Sequence, residues 1–152
     1  MNIDSKEFLA WTAGFFDGEG CVNVERVKHP RCNGGYSLTL NLTITQVDRM
    51  PLEFIKSKFG GRIHKKANKK NPNASHCHFL RFNNAEALVL LKAIQPYCIA
   101  KLSQVNTALE FPFDENNKFC TNHPMPEDVR NKRNYIYTRL REIKQDIKVA
   151  SL

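Results

Sequence analysis

Several features are missing from this 152-residue chain, and each absence removes a class of protein. No uninterrupted apolar run reaches the ~20 residues of a membrane-spanning helix, and no secretory leader is recognisable. A soluble protein with no membrane span is expected. The five cysteines are an odd number and include no CxxC pair, so a disulfide framework is not expected and a reducing compartment is. The nearest approach to metal-ligand spacing is Cys120-x-x-His123, with "HCH" at residues 76–78 as a remote half. Without a second close pair, structural zinc is disfavoured. Low-complexity segments are also missing, and acids are the minority charge, 15 Asp+Glu against 23 Lys+Arg.

What is present suits one domain, long enough to bury roughly two-thirds of the surface its unfolded form exposes. The formal charge of +8 favours an anionic partner such as nucleic acid or an acidic membrane surface, without choosing between them.

Asp4 followed by Glu7 has capping-box spacing and predicts a helix from about Ser5 to Phe16. Phe8, Trp11 and Phe15 form its apolar stripe, while Ala10, Ala13, Gly14 and Asp17 form a line with almost no bulk. That helix is expected to be covered on two sides, one of them by something that comes very close. Residues 21–28 and 36–46 read as strands around the turn-rich "HPRCNGG". In the second, Tyr36, Leu38, Leu40, Leu42 and Ile44 alternate with Ser37, Thr39, Asn41, Thr43 and Thr45, the period of a sheet with one covered and one open polar face.

A short helix over residues 50–58 follows, with Asp48 as its cap and Gly60-Gly61 as its end. Strands over 62–66 and 75–82 flank "ANKKNPNA". The facing of the last strand stays open, because His76, His78, Leu80 and Phe82 share one parity and Cys77, Phe79 and Arg81 the other. From Asn84 the pattern is helical, broken at Gln95-Pro96 and again by a Pro- and Asn-rich segment. The expected organisation is a core over 1–112, a linker over 113–126, and a helical extension over 127–152 packed on the same domain.

"AGFFDGEG", residues 13–20, is the odd passage: a glycine inside an apolar helix costs about 1 kcal/mol, and acids at a helix C-terminus face the negative end of its dipole. Extended to "TAGFFDGEG", residues 12–20, it resembles the motif of the LAGLIDADG homing endonucleases in its Ala-Gly pair, both acids and the closing Gly. The αββαββα element order is the one that family is built on. "TITQ" ending at Gln46 and "IQPYCIAKLSQVN", residues 94–106, resemble the single-motif members, so the likeness covers about residues 6–109.

The resemblance implies an α+β fold: an antiparallel, saddle-shaped sheet with helices on one face, plus C-terminal helices. It also implies a homodimer in which two motif helices pack through Ala10, Ala13, Gly14 and Asp17. Of the two acids, Glu19 is the implied metal ligand, with the Gly18 carbonyl nearby, and Asp17 the structural one. Gln46 matches a water-orienting residue, Lys101 a transition-state lysine, and Arg49 a basic residue beyond the strand. Mg²⁺ is the implied cofactor, with Mn²⁺ as a substitute and Ca²⁺ binding without supporting cleavage.

The implied partner is double-stranded DNA, with the host intron RNA as a further candidate. Asn23, Glu25, Ser37, Thr39, Asn41, Thr43, His64, Lys66 and Arg81 are candidates to read base edges, and Lys65, Lys69 and Lys70 to hold phosphates. The reading is thus a site-specific double-strand endonuclease encoded in an intron or similar mobile element, in an organelle or in bacterial or phage cytoplasm. The alternative is an intron maturase or regulator on the same scaffold without cleavage. The basic last helix, with Arg130, Lys132, Arg133, Arg139 and Arg141, either clamps the DNA backbone or covers the domain.

Overall fold

A computed structural model of the chain describes residues 2–3, 5–30, 32, 35–66, 76–113 and 124–150. Helix α1, Lys6–Glu19, starts at Ser5, whose Oγ accepts from the Phe8 N–H at 3.2 Å. The expected cap, Asp4, lies outside the described residues. Hydrogen bonds from its own backbone N–H and from Ser5 hold the Glu7 carboxyl below the usual range.

The helix runs three residues beyond its expected end, so Asp17, Gly18 and Glu19 are all helical. Gly20 alone turns the chain: its N–H closes on the Phe16 carbonyl, and its backbone is extended (φ −84°). A Cβ there would lie 2.5 Å from the Phe16 carbonyl oxygen and closer still to the Phe16 ring. Glycine is required at this position by the close approach rather than by an unusual dihedral angle.

Strands β1 (Gly20–Lys28), β2 (Tyr36–Gln46), β3 (Arg62–Lys66) and β4 (Cys77–Asn83) form one antiparallel sheet in the order β1-β2-β4-β3. The fold is α+β, as the sequence resemblance implied. The period-two pattern sorts the side chains: Val22, Val24, Leu38, Leu40, Leu42, Ile44, Leu80 and Phe82 are buried on the face the helices cover. Burial of Leu80 and Phe82 settles β4 without a bulge, placing Phe79 and Arg81 on the other face.

Helix α2 (Met50–Phe59) begins where Asp48 Oδ1 accepts from the Met50 N–H at 2.9 Å. Two glycines with positive φ, Gly60 (75°) and Gly61 (84°), then carry the chain into β3. Phe54 and Phe59 of α2 meet Phe8 of α1 at centroid distances of 5.0 and 6.3 Å, and Trp11 and Phe15 extend this aromatic contact along α1.

Helix α3 (Asn84–Ile94), a 3₁₀ turn (Gln95–Tyr97) and α4 (Leu102–Leu109) follow, and α5 (Glu127–Ala150) packs against β1 and α4. Arg133 of α5 is a core residue. Its guanidinium donates to the carbonyls of Pro112 (3.1 Å) and Leu38 (3.3 Å) and lies 4.8 Å from the Phe111 ring centroid, and burial pushes its pKa down. It is therefore not available to clamp DNA.

Candidate functional site

The two acids of α1 have separate environments. Asp17 turns sideways: Oδ2 accepts from the N–H groups of Ile99 (2.7 Å) and Ala100 (3.0 Å), and Oδ1 from Lys101 (3.0 Å). It thus satisfies donors at the entry to α4 that would otherwise face water or nothing. The ammonium of Lys101 donates to the Asp17 carbonyl and lies 5.9 Å from the Phe16 ring centroid. Next to this cluster, the Cys98 thiol is raised to about 11 by burial and by the Asp17 charge, with Lys101 opposing.

Glu19 is exposed, at the last position of the helix. Of the four final α1 carbonyls, Phe16 is taken by Gly20 N–H and Asp17 by Lys101. The Gly18 and Glu19 carbonyls lie at the negative end of the dipole, next to the Glu19 carboxylate. This all-oxygen donor set fits a hard divalent cation. It is incomplete on its own: among the described residues, no three His, Cys, Asp or Glu side chains converge to hold a metal.

Strand register brings Gln46 to the same end of the sheet. Gly20 pairs with Ile44, so Gln46 lies two residues beyond the start of β1, roughly 7 Å along the strand. Its Oε1 accepts from the Val47 N–H at 2.8 Å, and its cross-strand partner His78 contacts the Val47 carbonyl at 3.1 Å through Nδ1. Arg49 does not join this group: its guanidinium is paired with Glu53 one turn along α2 at 2.6 Å.

Along the outside of α1, Ala10, Gly14 and Gly18 are exposed at helical spacing, and a Cβ on either glycine would meet nothing within 4 Å. Ala13 is not part of this stripe, because it is fully buried in the protomer's own core. Asp17 has left it too, its carboxylate being committed to α4. Ile99, whose backbone N–H bonds the Asp17 carboxylate, is 87% exposed.

The uncovered sheet face carries most of the candidate DNA readers in cross-strand rows. Cys21, Thr43, Arg81 and Arg62 form one row, Asn23, Asn41 and Asn83 the next, then Glu25 with Thr39, and Ser37 opposite Val27. Asn41 departs from expectation, being fully buried although its parity is that of the open face. The cause is Arg81, whose Nε donates to Asn41 Oδ1 (2.8 Å) and Asn83 Oδ1 (3.2 Å) and whose terminal nitrogen reaches Glu25 at 2.6 Å.

His64 stacks on Phe79 at 5.0 Å, and Lys66 shares its face, whereas Lys65 has the opposite parity. Lys69 and Lys70 lie outside the described residues. Sequence reading missed Arg62, which shares parity with His64 and Lys66 and lines a cleft of about 360 Å³ with His64, Arg81, Asn83 and Glu86. It also missed Lys144, which reaches from α5 to Cys21 Sγ (3.3 Å) at the border of the open face.

The sequence profile described as LAGLIDADG endonuclease matches residues 12–104. Among solved structures, the homing endonuclease I-CvuI, in complex with its target in the presence of Ca, is 24% identical with a TM-score of 0.61, the match covering 72% of this chain and 68% of that one. The archaeal intron-encoded homing endonuclease I-Vdi141I, complexed with DNA, is 23% identical with a TM-score of 0.69, covering 91% and 85%. The meganuclease I-SmaMI, bound to uncleaveable DNA, is 23% identical with a TM-score of 0.61, and here 88% of this chain covers 45% of that one. No curated protein matches the chain.

Proposed function

The chain belongs to the LAGLIDADG endonuclease family and is a site-specific DNA endonuclease, and we propose that it acts as a homodimer on a long pseudo-palindromic site. One observation supports this above the others. The exposed line Ala10, Gly14 and Gly18 leads to an exposed Glu19 with no partner among the described residues, where no three His, Cys, Asp or Glu side chains converge to hold a metal. A second copy of α1 packed on that line brings a second Glu19 to the same place, and small residues permit the close backbone approach.

Two carboxylates so placed repel each other, and a shared cation relieves the repulsion. Mg²⁺, with Mn²⁺ as substitute, supplies an activated water and neutralises charge on the phosphate oxygens when bound. Glu19 and the Gly18 carbonyl would hold it. Gln46, freed from Val47, orients the attacking water. Lys101 sets a positive charge where the leaving oxygen becomes negative. Arg49 is assigned no step, since in the free protein it stays with Glu53. The open face grips the major groove on each side, and the cuts fall across the minor groove between.

The test is to incubate purified protein with a duplex DNA library in Mg²⁺, and in parallel in Ca²⁺ and as Glu19→Gln. Sequence-specific double-strand cleavage is expected for wild type in Mg²⁺ alone, with specific binding in all three. Specific binding with no cleavage in Mg²⁺ or Mn²⁺ would replace this reading with a maturase or regulator. A protein monomeric on DNA would remove the shared site.

A further inference from the structure

A carboxylate is out of place on a surface meant for phosphates, yet Glu25 lies on the open face of the sheet. It does not lie there alone. The Arg81 guanidinium leans from β4 diagonally across β2 to reach Glu25 on β1 at 2.6 Å, forming a neutral pair. Between them, beneath the guanidinium, Asn41 is fully buried, and its Oδ1 accepts from Arg81 Nε. Asn41 Nδ2 has no partner among the described residues, and Oδ1 must face Arg81, since reversing the amide would point its N–H₂ at a cation. Asn83 accepts from the same Nε at 3.2 Å. Three strands therefore fix one side chain from three directions.

A guanidinium has five N–H donors. One goes to the two asparagines and one to Glu25, which leaves three uncommitted among the described residues, two of them side by side on the terminal Nη1–Nη2 edge of a side chain that is 33% exposed. Two parallel donors on that edge match the O6 and N7 acceptors of guanine in the major groove, the commonest specific pairing of arginine with a base. Resting on the DNA-binding reading above, we infer that Arg81 reads a guanine in each half-site and that Glu25 is a positioning residue, holding the guanidinium rather than reading a base itself. Asn41 serves as the floor of the same device.

The pair also has a charge consequence. With Arg81 in place, Glu25 adds no net repulsion to DNA; without it, an unpaired carboxylate faces the phosphates. Loss of Arg81 therefore costs both the base contact and the neutralisation.

Selection of binding sites from a randomised duplex library, in Ca²⁺, tests this with wild type, Arg81→Lys, Glu25→Gln and Glu25→Ala, each checked by thermal melting. Wild type is expected to select a consensus containing a guanine that Arg81→Lys ceases to prefer, a change of about ten- to a hundredfold at that position alone. Glu25→Ala is expected to weaken the preference at that same position. Glu25→Gln, which keeps an acceptor for the guanidinium, is expected to retain most of it.

If Glu25→Ala relaxes a different position, Glu25 is an independent reader and the inference fails. If Arg81→Lys weakens all sequences equally, Arg81 is a phosphate contact and the inference fails as well. Should wild type select no consensus, the functional reading falls and takes this inference with it.

Discussion

Asp17 and Glu19 are two residues apart on one helix, and exchanging each alone should produce opposite outcomes. In Asp17→Ala three backbone donors, on Ile99, Ala100 and Lys101, lose their acceptor. A charge-assisted bond contributes about 1.5–3 kcal/mol. Two of these three bonds are exposed, however, so water replaces much of what is lost, and the ~1–2 kcal/mol of a lost helix cap is the better guide for them. With the partly buried third bond added, a loss of about 2–3 kcal/mol follows, or a Tm lowered by roughly 5–10 °C for a chain of this size.

Glu19→Gln removes no hydrogen bond or ion pair made among the described residues, so its effect should stay within about 0.5 kcal/mol. Its sign should be stabilising, because a negative charge leaves the C-terminal end of a helix. Thermal melts and double-strand cleavage of a selected site, both measured well below the lower Tm, separate the two roles. Asp17→Ala should melt early and still cut; Glu19→Gln should melt like wild type or later and not cut. An Asp17→Ala protein that melts like wild type and is inactive would refute the division of labour drawn from these contacts.

Three further outcomes follow from particular atoms. Gly14→Leu should fold with unchanged secondary structure, since nothing lies within 4 Å of a Cβ there, but should elute and scatter as a monomer if α1 is the shared interface. Gly18→Ala should leave the protomer as stable as wild type or gain up to about 1 kcal/mol, while Gly20→Ala, whose Cβ meets the Phe16 carbonyl at 2.5 Å, should lose at least ~2 kcal/mol by urea titration. For Cys98, folding favours the neutral thiol, so its contribution is fully present below pH 9 and is lost as pH rises towards 11; Cys98→Ala should flatten that part of the stability profile.

The alternation in β2 was legible because each of its residues has one unambiguous polarity and the covered face is covered along the whole strand. β4 was not, because His78 shares the parity of Leu80 and Phe82 but lies at the rim, where it contacts the Val47 carbonyl instead of the core. The end of α1 was misjudged for a related reason. Glycines read locally as terminators, whereas Asp17 is satisfied by residues 82 to 84 positions away, and that contact has no local signal. Asn41 has the sequence signature of an open-face residue and is buried only because an arginine from another strand lies over it. Arg62, by contrast, could have been read from parity with His64 and Lys66 alone.

Strand β3 stands at the end of the sheet order, with one side unpaired among the described residues, while β1 at the opposite end is flanked by α5. A bare strand edge invites another chain to add to it, and charged side chains are the usual deterrent. Arg62, Lys65 and Lys66 occupy three of the five positions of β3. Neutralising them to reduce indiscriminate DNA affinity would therefore also remove the guard on the sheet's free border, and the first symptom of such a variant should be aggregation.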